Sequence, residues 1–155
     1  MGEIEWSDWM PLIDAAKVAP REPGVYQARV VGTADVIYIG MAGERSRNGK
    51  VPPKGLRARI KGYESGRVLT NGLGRAALTR ALRDPRFRKL IAETELNSIV
   101  EFGRLAFDHA QLEIRWTTTE DGASARALED TLIHSHEGLW NRRNRVVVVK
   151  LDDET

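Results

Sequence analysis

Five side chains could do chemistry if folding gathered them: the phenols of Tyr26 and Tyr38, the guanidinium of Arg59, the carboxylate of Glu129 and the amide of Asn141. Glu129 carries the strongest signal because it stands on the wrong side of its helix. In ASARALEDTLIHSH, a helical step of about 100° per residue puts Glu129 about 40° from Ala125, between Leu132 and Ile133 and so inside the apolar stripe. Asp130, one step on, points to the polar side. A carboxylate in an apolar surround protonates, pairs with a cation or binds a metal. Something positive must therefore meet Glu129, and an ion pair to Arg59 is one answer.

The elements that hold the other four follow from pattern. PGVYQARVVGTADVIYIG, residues 23–40, reads as two β-rich runs around a GTAD turn. Val25, Val30, Val31, Val36, Ile37 and Ile39 suit a half-buried pleated surface, Gly32 and Asp35 supply turn chemistry, and Gly24 and Gly40 punctuate the ends. Tyr26 and Tyr38 thus sit in the two strands of an antiparallel hairpin, where a tyrosine taken alone is a packing residue. In GLRARIKGY, Leu56, Ile60 and Tyr63 share one helical face; Arg59 borders it, and Arg57 and Lys61 project oppositely. Asn141 in LWNRR is, by itself, a turn or cap residue.

Between these segments, MAGERSRNGKVPPK reads as an exposed loop. Residues 72–92 read as a helix with an arginine side (Arg75, Arg80, Arg83), a break near Asp84 and Pro85, and another helical turn or two. Leu96, Val100, Gly103, Phe107 and Ala110 keep helical spacing, and LEIRW alternates as a third strand. The last helix is expected from about Ala123 to His136, with Asp121 or Ser124 as N-cap. Residues 4–16, with Trp6, Trp9, Leu12 and Ile13, are either a short helix lying on the domain or part of a partner interface. RVVVVK near the end reads as a strand or buried extension.

The 155 residues suit one domain with its own core. With no cysteine, disulfides, thiolate metal sites and a Cys nucleophile are excluded. The acidic start and the lack of a bilayer-length apolar run predict a soluble cytoplasmic protein without membrane contact. Net charge is +2, yet residues 41–90 hold 14 Lys and Arg against 3 Asp and Glu, a net of +11 that leaves −9 for the remainder. Such segregation suits a polyanion, since each neutralised phosphate releases counterions. Lys50, Lys54, Arg57, Lys61, Arg75, Arg80 and Arg83, with Arg86 and Arg88, are the candidate backbone contacts; a solvated charged face is the alternative. His109, His134 and His136 show no ligand spacing.

Taken together, these residues resemble the signature of the GIY-YIG nuclease family. Gly24-Val25-Tyr26 stands for its first motif and Tyr38-Ile39-Gly40 for its second. Arg59 in LRARI, Glu129 in ALEDTLI and Asn141 in LWN follow in the family's order and spacing. The long stretch from Gly40 to Arg59 and the helical segment 72–110 are insertions relative to the compact members, and resemble the family's small restriction endonucleases. Such members can place a His one helical turn after the Arg; Tyr63 stands there, an accessory candidate.

The resemblance implies an α+β fold in which a small antiparallel three-stranded sheet, the hairpin 24–40 plus a strand near 112–118, is flanked by helices. It implies one domain over 1–155, with an N-terminal arm (1–22), a catalytic core (23–141) and a C-terminal extension (142–155). It further implies hydrolysis of phosphodiesters in double-stranded DNA with one Mg²⁺ or Mn²⁺ on Glu129. Arg59 would clamp a phosphate oxygen, and one of the two tyrosines, Tyr26 as the first candidate and Tyr38 as the alternative, would help deprotonate the attacking water, acidified by Arg59 or the metal. Tyr38 would orient water or phosphate, and Asn141 would tie the last helix to the core. A restriction role would favour a homodimer, with the N-terminal tryptophans and Val146–Val149 as candidate interface and burial in the core as the equal alternative for both. A nicking repair nuclease and a non-catalytic DNA-binding module are the alternatives.

Overall fold

The computed structural model describes residues 2–43, 54–66 and 72–141. The elements run β1 (Met10–Pro11), α1 (Leu12–Val18), β2 (Gly24–Val30), β3 (Val36–Ala42), α2 (Leu56–Glu64), α3 (Gly72–Arg83), α4 (Pro85–Glu93), α5 (Ile99–Ala110), β4 (Leu112–Thr118) and α6 (Gly122–Ser135). The fold is α+β, with one open antiparallel sheet in the order β1-β4-β2-β3. That is one strand more than expected. The extra strand pairs Met10 and Pro11 with Ile114 and Glu113; two residues are too few for alternation to reveal, and Pro11, lacking a donor, fits an edge.

The hairpin forms as its pattern predicts, with a register shift between Ala28 and Arg29. Its second strand continues past Gly40, because Met41 and Ala42 pair with Val25 and Gly24. These two residues, expected in the exposed loop, are buried. The rest of that loop from 44 to 53, including Lys50, lies outside the described residues, as do RVVVVK and the extension 142–155.

Alternation gives the sheet two working faces. On one, Tyr26, Ala28, Tyr38, Leu112 and Ile114 meet α1, α2 and α5 through Leu12, Ala15, Leu56, Ile60, Tyr63 and Phe107, with Leu73 and Ala77 of α3. On the other, Val25, Ile39 and Met41 meet Ala125, Leu128, Leu132 and Ile133 of α6. Each fully buried Leu or Ile of this kind contributes about 1.5–3 kcal/mol relative to exposure. The N-terminal arm packs on its own sheet: α1 buries Leu12, Ala15 and Ala16. Trp6 joins the α6 side, and the guanidiniums of Arg29 and Arg115 lie 4.3 and 4.7 Å over the Trp9 ring.

Capping fixes the helix boundaries. Asp84 accepts from the Arg86 amide at 2.9 Å and Pro85 opens α4, which is the expected break. Ser98 caps α5 through the Glu101 amide, so the helix starts after Leu96, whose spacing had counted it in. Asp121 caps α6 through the Ser124 amide at 2.7 Å, and that bond holds the carboxyl below its ordinary range. No helix among the described residues is long and apolar enough to cross a membrane.

Two glycines separate packing from propensity. A Cβ at Gly40 would run into the ring of Tyr26, whereas one at Gly62, inside α2, would meet nothing within 4 Å. Chemical denaturation should therefore show Gly40→Ala destabilised by about 1–3 kcal/mol. Gly62→Ala should gain about 0.5–1 kcal/mol. Equal effects at the two sites would contradict this packing.

Candidate functional site

The outer edge of β3 organises the site. In an antiparallel ladder alternate residues turn their N–H and C=O away from the partner strand, and Ile39, opposite Gln27, presents both to the open edge. The amide of Asn141 takes both: its Oδ1 accepts from the Ile39 N–H at 3.1 Å and its Nδ2 donates to the Ile39 carbonyl at 2.7 Å. One residue earlier, the Trp140 N–H donates to the Ile37 carbonyl at 2.6 Å. The segment after α6 thus covers an otherwise unpaired strand edge, and the tie expected of Asn141 is present.

Beside this edge lies a cavity of about 610 Å³. Tyr38 enters it from β3, Glu129 from α6, Trp140 and Asn141 from the edge segment, and Gly72 and Arg75 from α3. Glu129 is 4% exposed, as its place in the apolar stripe predicted, yet it borders open space. Three of the five signature residues, Tyr38, Glu129 and Asn141, therefore share one cavity.

Tyr26, Tyr63 and Arg59 are not among its described lining residues. Tyr26, 2% exposed, lies across Gly40 with its ring 6.3 Å from that of Tyr38 and inclined by 24°. Its hydroxyl is hydrogen-bonded to that of Tyr63, whose ring in turn packs against Phe107. Burial, then the Tyr63 and Tyr38 neighbours, hold Tyr26 well above the usual phenol range, and Arg59 opposes them weakly. Burial and Tyr38 likewise push Tyr63 up, against the Tyr26 hydrogen bond and Arg59. Arg59 lowers Tyr26, the direction expected of it, but desolvation of the buried phenolate outweighs one guanidinium. Arg59 is partly buried, as its helical position predicted, and its Nε is buried with no hydrogen-bond partner among the described residues.

The remaining basic candidates divide. Arg75 stands in the cavity wall, Arg80 lies with its guanidinium 4.0 Å over the Trp140 ring, and Arg83 is exposed one turn beyond Thr79. Lys54 and Lys61 are exposed. Arg57 donates its Nε to the Ala19 carbonyl at 2.7 Å, tying α2 to the end of α1. His136 bonds to the Leu132 carbonyl, and His109 lies 3.1 Å from Asp84, neither of them at the cavity. Sequence reasoning missed that α3 forms a wall and that Trp140 lines it. The signal was the spacing of Gly72, Arg75 and Thr79 on one helical face, unreadable without knowing what that face meets.

Glu129 is the acidic residue among those described as lining the cavity, and no group of three or more His, Asp and Glu gathers among the described residues. A single carboxylate beside open space fits a hard cation that keeps most of its positions for water and substrate oxygens, as Mg²⁺ does. Comparison with protein-family models, with curated proteins and with solved structures found no match.

The buried phenols set an alkaline limit to stability. Their folded pKa values are raised, so their contribution is complete below the ordinary phenol value of about 10 and fades above it, where the unfolded chain loses protons first. The urea midpoint should hold steady from pH 7 to about 9.5 and fall beyond pH 10. A Tyr26→Phe/Tyr63→Phe double variant should lose much of that fall; an unaltered decline would contradict the assignment.

Proposed function

We propose that the protein is a metal-dependent DNA endonuclease of the GIY-YIG type, hydrolysing phosphodiester bonds in double-stranded DNA. The observation that carries the reading is the buried carboxylate of Glu129 opening on the same cavity as the Tyr38 hydroxyl and Arg75. The cationic block from 41 to 90 supports a polyanionic substrate. Arg75 and Arg80, both from that block, lie at the cavity or against Trp140 in its wall.

Glu129 would hold one Mg²⁺ or Mn²⁺, which when bound supplies stabilisation of charge on the scissile phosphate and the leaving 3′ oxygen. The chain's own groups do the rest. Tyr38 orients the attacking water and passes its proton on, accepting it at the phenol oxygen while releasing the hydroxyl proton to solvent in the cavity. Such a relay needs no free phenolate, which is scarce near neutral pH for an ordinary phenol. The water oxygen bonds to phosphorus as the bond to the 3′ oxygen breaks, and that oxygen takes a proton from solvent. Tyr26, which keeps its proton and is hydrogen-bonded to Tyr63, is the backing against which the Tyr38 ring rests. Asn141 fixes the strand backbone immediately after Tyr38 through Ile39.

Incubation with supercoiled plasmid should give nicked or linear DNA with Mg²⁺ and intact DNA with a chelator. Glu129→Ala should lose cleavage while keeping salt-sensitive DNA binding, and Tyr38→Phe should lose most of it. Binding without cutting by the wild-type protein would instead identify a DNA-binding module, and a Glu129→Ala rate equal to wild type would refute the ligand role. Mapping the cut ends separates a restriction-type enzyme from a structure-selective one.

A further inference from the structure

A phosphodiester entering the cavity brings a negative charge towards a carboxylate, and without a cation at the same surface the two repel. The described cation in the wall is Arg75. Its helix is fixed by apolar contacts on the other side, where Leu73, Ala77 and Ala81 are buried, which leaves the face of Gly72, Arg75 and Thr79 towards the cavity. Arg80 lies with its guanidinium over the Trp140 ring, and Trp140 is itself held by its backbone bond to Ile37. A guanidinium held this way gives up little rotamer freedom on meeting an anion, and its forked donors match two phosphate oxygens.

We propose, resting on the nuclease reading above, that Arg75 is the residue that contacts the scissile phosphate, and that Arg80, braced on Trp140, contacts a neighbouring phosphate of the same strand. The helix α3 is then part of the catalytic machinery. The phosphate contact expected of Arg59 passes to a residue some way along the chain. The arrangement also specifies the substrate: a polymer with at least two adjacent phosphodiesters, so that a mononucleotide ester engages Arg75 without Arg80 and is turned over poorly.

The test compares Arg75→Ala and Arg75→Gln with Arg80→Ala, each checked for an unchanged circular dichroism spectrum, on a duplex oligonucleotide with Mg²⁺. Arg75→Ala and Arg75→Gln should lower kcat by about 10²–10³-fold, the scale of losing one preorganised charge contact in a reaction, with a smaller change in KM. Arg80→Ala should act on KM more than on kcat. In a chelator, binding of the same duplex should lose about one unit of salt slope with either arginine removed. Full kcat in both Arg75 variants would overturn the assignment, as would unchanged salt slopes. If the wild-type protein does not cut at all, the nuclease reading fails by itself, and the salt slopes alone then decide whether these arginines hold phosphates.

Discussion

A carboxylate withdrawn from water is costly unless cations, hydrogen-bond donors or a polar cavity meet it, and Glu129 is such a group, buried between the apolar neighbours that fasten α6 to the sheet. The helix cannot turn Glu129 to solvent without exposing Leu128 or Ile133, so the cavity has to come to the carboxylate. The surrounding elements meet it there: α3 contributes Gly72 and Arg75 to the wall, and the segment after α6 closes the end with Trp140 and Asn141.

Rigidity at this edge comes from hydrogen bonds and aromatic packing together. The paired bonds from Asn141 to Ile39 satisfy backbone groups that would otherwise face solvent or another strand, and they act on the residue between Tyr38 and Gly40. Behind them, Tyr26 covers Gly40 and shares a hydrogen bond with Tyr63. Of the three phenols, the one at the cavity has its ring against Tyr26, which Tyr63 holds in turn, and its neighbouring backbone fixed by the edge clamp.

Much of the fold was legible because it is written in local periodicity. The hairpin, the faces of α2 and α6, the Asp84–Pro85 break and β4 each follow from a few residues whose side-chain spacing allows one reading. The strand at Met10–Pro11 was not legible, since a two-residue pairing has no period, and Leu96 was drawn into α5 by a spacing that Ser98 capping overrules. The site was half legible for a related reason. The misplacement of Glu129 on its own helix is visible to a wheel. Which tyrosine reaches the cavity depends on cross-strand register, with Tyr26 opposite Gly40 and Tyr38 opposite Ala28, and on which helix covers each ring. Desolvation of Tyr26 and the arrival of Arg75 are likewise tertiary facts, set by how α3 docks.

The position of a bound ion and phosphate tests the arrangement most directly, in crystals grown with duplex DNA and Mn²⁺ and read by anomalous scattering. The expected result is one ion about 2 Å from a Glu129 carboxylate oxygen, sharing a phosphate that also meets Arg75 and the Tyr38 hydroxyl. Glu129 sealed in an ion pair with no ion beside it, and the duplex lying away from this cavity, would contradict it.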